Sequence, residues 1–124
     1  MTVLVVDDND SYRCNLVDFL QKQEDVQIVG QARDGLEAMS MTHSLHPDLV
    51  LIDISMPGVG GLEATRHIKE YRPDTKVVFV TIHEERTYQI LADILHADGF
   101  VCKSSVKEDM PRVLKKMKLA MAVR

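Results

Sequence analysis

Five short apolar runs recur along the chain: Val3–Val6, Val26–Val29, Leu49–Ile54, Val77–Val80 and Phe100–Cys102. They begin at positions 3, 26, 49, 77 and 100, in steps of 23, 23, 28 and 23 residues. Each run is rich in Val, Ile or Phe and almost continuously apolar. That is the pattern of a strand covered on both faces, not of a half-exposed alternating one. A step of this size holds one strand, two turns and one helix. Right-handed βαβ crossovers then give an open parallel α/β sheet with helices on both faces.

The segments between the runs carry helical periodicity. Asp10 or Ser11 is expected to cap the first, in which Leu16, Val17 and Leu20 recur at helical spacing. Gly35 opens a second that runs to about Leu45, with Pro47 as its stop. Gly60 and Gly61 precede a third, with Leu62, Thr65 and Ile68 as its stripe before Pro73. A fourth is expected from about Glu85 to Leu95. The fifth carries Met110, Val113, Leu114, Met117 and Met121 on one face, and Pro111 is tolerated there if it lies in the first turn. At 124 residues, with no linker or low-complexity tract, the expectation is a single domain over 1–124.

Composition removes several function classes. Hydrophobic residues are 45% and charged residues 27%, enough for a packed core. Fifteen basic against 19 acidic residues give a net charge of −4, so direct binding of nucleic acid by this segment is not expected. No run of 18 apolar residues exists to span a membrane, and no secretory signal is legible. The two cysteines, Cys14 and Cys102, read as packed thiols in a reducing cytoplasm rather than as a disulfide.

The chemistry lies at the ends of the runs. In open parallel sheets, sites form beyond the carboxyl ends of the strands. The first run leads into Asp7 and Asp8, the third reaches Asp53, the fourth ends at Thr81 and the fifth at Lys103. Three carboxylates brought together repel one another unless a cation joins them. An oxygen-only ligand set without His or Cys favours a hard ion, most simply Mg²⁺. Such an ion and Lys103 would together neutralise a phosphoryl dianion, and Thr81 would donate a hydrogen bond to it. One carboxylate can serve as the nucleophile, giving an acyl phosphate. Asp7 and Asp8 alone fit a turn and capping pair equally well. The glycines at 58, 60 and 61 match neither phosphate-loop pattern, and the five histidines lack ligand spacing. Met110, Met117 and Met121 read as core. The basic residues Lys107, Arg112, Lys115, Lys116 and Lys118 read as a solvated helix face.

Five segments in order carry a resemblance. They are Val-Leu-Val-Val-Asp-Asp (3–8), Leu-Ile-Asp-Ile-Ser-Met-Pro-Gly (51–58), Gly-Leu-Glu-Ala (61–64), Val-Phe-Val-Thr (78–81) and Gly-Phe-Val-Cys-Lys (99–103). Together they resemble the response-regulator receiver domain of two-component signalling, over essentially the whole chain. The stretch at 26–38, with Ser104 after Lys103, is most similar to the subfamily that usually carries a C-terminal LuxR-type helix-turn-helix. The resemblance implies a flavodoxin-like doubly wound sheet of order 2-1-3-4-5 with five helices. It also implies that Asp53 is the phosphoacceptor. Asp8 would ligate Mg²⁺ directly and Asp7 mainly through water, with Asp53 and the Ser55 backbone carbonyl completing the protein ligands. Thr81 and Phe100 would be switch residues, and Lys103 the pairing lysine. Ser55 and His83 fall at positions that tune phosphoryl lifetime in the family.

The implied partner is a sensor histidine kinase. The implied output is a change in the surface of helix four, strand five and helix five. A phosphorylation-dependent homodimer, or DNA reached through a further C-terminal domain, is compatible with it. Ile82 follows Thr81 where many receivers have a small residue, so slow exchange with small phosphodonors and slow self-hydrolysis are expected. Two other readings remain. Asp8-Asn9-Asp10 fits the nucleophile motif of a haloacid-dehalogenase-like phosphohydrolase, though that leaves Asp53 idle. A receiver-shaped module working without phosphate is the other.

Overall fold

The computed structural model describes residues 1–54, 56, 60–82 and 86–123, without the side chains of residues 87 and 88. The chain alternates strand and helix: β1 (Thr2–Val6), α1 (Asp10–Gln21), β2 (Gln27–Ala32), α2 (Gly35–Leu45), β3 (Leu49–Ile52), α3 (Gly61–Tyr71), β4 (Lys76–Thr81), α4 (Arg86–Ile94), β5 (Gly99–Cys102) and α5 (Val106–Ala122). A 3₁₀ turn over Lys103–Ser105 joins β5 to α5. All strand pairs are parallel, and the sheet order is β2-β1-β3-β4-β5, the expected 2-1-3-4-5.

The continuous apolar runs have a direct structural cause. Along β1, Val3 and Val5 face one layer while Leu4 and Val6 face the other. The first layer is closed by Leu16, Val17 and Leu20 of α1 with Met110, Leu114 and Met117 of α5. The second is closed by α2, α3 and α4 through Ala38, Ala64, Ile68 and Ala92. With both faces covered, neither set of alternate positions tolerates a polar group.

The sequence expectation needs correction in several places. β2 begins at Gln27 and runs to Ala32, and as the edge strand it leaves Ile28 and Val29 only half-buried. β3 stops at Ile52, two residues before the apolar run ends, so Asp53 lies just past the strand. The cap of α1 is Asn9, not Asp10 or Ser11. Its backbone is extended and its Oδ1 accepts from the Tyr12 N–H at 2.9 Å. Pro111 is not in the first turn, because α5 starts five residues earlier at Val106. The carbonyl of Lys107, one turn earlier, loses its helical N–H partner there, at a residue that is itself exposed. Met121 is half-buried rather than core. Cys14 is exposed rather than packed, and Cys102 is partly covered. Glu85, the expected start of α4, lies outside the described residues, and the helix ends at Ile94.

α2 ends as Pro47 predicts. His46 takes the left-handed conformation, φ 48°, and its N–H reaches the Thr42 carbonyl at 3.1 Å. Among the described residues, no helix is long and apolar enough to cross a membrane.

Candidate functional site: an acidic rim at the carboxyl ends of the strands

The backbone ladder carries the acidic residues past the ends of their strands. The Asp7 N–H donates to Ala32 O of β2, and the Asp53 N–H donates to Val6 O of β1, each at 3.0 Å. Both carboxylates are thereby held at one edge of the sheet, and both are nearly inaccessible, at 2% and 6% exposure. Asp8 is exposed. One oxygen from each of Asp7, Asp8 and Asp53 lies within 4.8 Å of the others, so the three carboxylates could hold one cation. A hard divalent ion fits this all-oxygen donor set.

Lys103 enters the same group from the end of β5. Its Nζ is 2.6 Å from Asp7 Oδ2 and 3.1 Å from Asp53 Oδ2. Burial alone would lower the pKa of this ammonium. Its hydrogen bonds to Asp7 and Asp53, with their charges, outweigh that and hold the pKa above the ordinary lysine value. For Asp7 the balance falls the other way. Burial raises the carboxyl pKa above its ordinary value despite the help of Lys103 and the Asn9 N–H. Asp7 therefore sits in the site as a carboxylate whose charge is not fully compensated, a state that a bound cation relieves.

Asp7 also serves the turn that the sequence offered as its structural reading. Its Oδ1 accepts the Asn9 N–H at 2.9 Å, so one carboxylate shapes the start of α1 and faces Lys103. Thr81 ends β4 fully buried, in register with Cys102, the residue before Lys103. Phe100 is half-buried against the layer covered by α2, α3 and α4. Ile82 projects beside Thr81 at 69% exposure. Ser55 and His83 lie outside the described residues.

Two contributors, Arg13 and Tyr12, were not singled out from sequence, and a third residue, Gly61, was named there only for its turn and its motif. Arg13, only 9% exposed, donates from Nη1 to the Asp7 carbonyl at 2.8 Å and from Nε to Gln31 Oε1 at 3.1 Å. Its Nη2 lies 2.7 Å from Asp10 Oδ1. The signal was available, since Arg13 falls on the apolar stripe of Leu16, Val17 and Leu20. Asp10, the second carboxylate of the phosphohydrolase motif, is taken up by this contact on the flank of the site. Tyr12 lies with its ring under Lys103, 4.3 Å from centroid to Nζ, and burial pushes its phenol up to about 12. Gly61, the first residue of α3, abuts the Asp53 carbonyl, where a Cβ would overlap the oxygen and come 2.7 Å from Ile54 Cα.

Comparison with known proteins agrees with this geometry. The family description "Response regulator receiver domain" matches residues 3–115. The response regulator GacA of Pseudomonas aeruginosa is 40% identical over 115 residues, which is 93% of this chain and 54% of that protein. The response regulator domain of Thermotoga maritima CheB superposes with a TM-score of 0.88 at 35% identity, covering 100% of this chain and 98% of that one. A DNA-binding response regulator of the LuxR family from Staphylococcus aureus gives 0.87 at 27% identity, covering 94% and 97%. The chain spans about half the length of the curated relatives it matches. A parallel sheet of order 2-1-3-4-5 carrying buried acids at its rim, matched along nearly its whole length by one family, makes this chain a response regulator receiver domain.

Proposed function

We propose that Asp53 is the phosphoacceptor of this receiver and that a phosphohistidine on a sensor kinase is its donor. An Asp53 carboxylate oxygen attacks phosphorus, the P–O bond forms, and the P–N bond to the donor imidazole breaks. The leaving imidazole takes a proton from solvent. Lys103, already 3.1 Å from Asp53 Oδ2, pairs with the transferred phosphoryl oxygens, and Thr81 donates its hydroxyl proton to one of them. Mg²⁺ bound by Asp8, Asp7 and Asp53, with the Ser55 carbonyl, would supply the charge neutralisation that lets two anions approach. Water later attacks phosphorus and releases the Asp53 carboxylate, which makes the domain a slow self-phosphatase rather than an enzyme acting on a separate substrate.

The observation that carries this reading is the close set of Asp7, Asp8 and Asp53 with Lys103 between two of them. The switch follows from position. Thr81 ends β4, while Phe100 lies on β5 against the layer that α4 closes. Movement of Thr81 toward the phosphoryl group would open room for Phe100 and alter the surface of α4, β5 and α5. The output of the whole protein, transcription through a helix-turn-helix in particular, is the reading favoured by LuxR-family structures among its neighbours. Phosphorylation-dependent self-association through that surface accompanies it. The sparse use of cysteine, two residues without CxxC spacing, supports a reducing cytoplasmic setting.

The test is incubation with acetyl phosphate and Mg²⁺ followed by intact-mass measurement. One phosphoryl adduct is expected on the wild type and none on Asp53→Asn. Adducts on both, or on neither after prolonged incubation, would overturn the assignment.

A further inference from the structure

The Lys103 ammonium is enclosed on three sides. Asp7 Oδ2 and Asp53 Oδ2 take two of them, at 2.6 and 3.1 Å, and the face of the Tyr12 ring takes the third, at 4.3 Å. An ammonium has three N–H bonds and accepts nothing, so two carboxylates and one π face answer all three. The Tyr12 hydroxyl does not explain why the ring is there. It is buried with no hydrogen-bond partner among the described residues, which is a net cost. The ring face is what the site uses.

The three contacts differ in permanence. Asp7 and Asp53 belong to the trio suited to a cation, and Asp53 is also the atom source for phosphoryl attachment. Once those oxygens are engaged, both carboxylate partners of Lys103 are shared or withdrawn. The Tyr12 ring offers no oxygen to a metal and is untouched by the exchange. It is also firmly placed. Its N–H is bound by the Asn9 cap at 2.9 Å, and the ring packs against the layer between α1, α5 and the sheet.

We propose that Tyr12 is a positioning residue, whose ring face keeps the Lys103 ammonium at the rim while Asp7 and Asp53 engage cation and phosphoryl group. The inference rests on Asp53 being the phosphoacceptor. Without that seat, a flexible four-carbon stem would swing into solvent once a metal had taken its carboxylate partners, and would have to return for each transfer before it could pair with the phosphoryl oxygens.

The first experiment needs no phosphoryl transfer. Proton NMR of the Lys103 ε-methylene should show an upfield ring-current shift that Tyr12→Leu abolishes and that persists at saturating Mg²⁺. Loss of the shift on adding Mg²⁺, or its absence in the metal-free protein, overturns the proposal. If Mg²⁺ leaves the Asp7 and Asp53 carboxyl carbons unmoved, the reading of the metal site fails instead.

The second experiment follows the rate of Asp53 phosphorylation by acetyl phosphate. Tyr12→Leu should slow it by about three- to thirtyfold, and Tyr12→Phe should restore it. Phenylalanines of increasing fluorination at position 12 should slow it stepwise at constant thermal stability, a trend that a purely space-filling ring does not give. In a Lys103→Ala background, Tyr12→Leu should have no further effect. A flat fluorination series, or a Tyr12→Leu loss that persists without Lys103, overturns the proposal.

Discussion

Gly61 and the Asp53 carbonyl occupy adjoining space so closely that no side chain fits between them. The first residue of α3 is thereby a stop for the backbone that carries the candidate phosphoacceptor. Gly61→Ala forces that backbone to move. The expected cost is about 1–3 kcal/mol of stability, as for other overpacked sites, together with weaker Mg²⁺ binding. Urea unfolding and metal titration of the variant check both. An unchanged midpoint and unchanged affinity would show that the loop absorbs the extra methyl.

Asp7→Asn should weaken metal binding and remove the part of the pH dependence of stability that the Asp7 carboxyl carries. The sign follows from burial, which raises the Asp7 pKa in the folded chain above its unfolded value near 3.8. The folded state then holds this proton more tightly than the unfolded state does. Its contribution to stability is fully present below 3.8 and is lost as pH rises through the folded pKa. The stability gap between Asp7→Asn and wild type should therefore open as pH rises from about 4 toward neutrality. Parallel unfolding curves across that range, with no growing gap, would contradict it.

Lys103→Ala removes the cation that both buried carboxylates share. The metal-free protein should lose stability, by about 3 kcal/mol if neither carboxylate takes up a proton and by less if one does. Added Mg²⁺ should raise the melting temperature more in this variant than in wild type, because the ion then supplies the missing positive charge. Differential scanning calorimetry with and without Mg²⁺ reads the contrast. An equal metal-induced rise in both proteins would count against the shared-charge account.

Ile82 stands exposed directly after buried Thr81. If its side chain narrows the approach to Asp53, Ile82→Ala should speed both phosphorylation by acetyl phosphate and self-hydrolysis. Removing about 1 kcal/mol of obstruction corresponds to about fivefold in each rate. Equal rates for variant and wild type would mean that the side chain does not guard the approach.

Much of this molecule is legible before any coordinates. Val3–Val6 and Val77–Val80 announce strands buried on both faces, and Asp7, Thr81 and Lys103 are visible because each directly follows such a run. Less regular positions are harder to read. Ile28 and Val29 belong to a run as apolar as the central ones, yet on the edge strand β2 both are only half-buried. The Asn9 cap and the early start of α5 depend on local backbone geometry that several neighbouring polar residues could have satisfied.

The sequence by itself determined the sheet, its order through the resemblance, and which acids stand at its carboxyl end, because burial on two faces leaves an unmistakable apolar rhythm. Tertiary structure alone decided who touches whom at that end. It put Lys103 nearer to Asp7 than to Asp53, set the Tyr12 ring beneath it, and buried Arg13 against the Asp7 carbonyl. These contacts join residues up to 96 positions apart, and their distances follow from the sheet order that brings the ends of β1, β3 and β5 to one rim and from how α1 and α5 pack on one face of it. No local pattern encodes a distance of that kind, since it is the sum of every packing contact between the two helices and the strands beneath them.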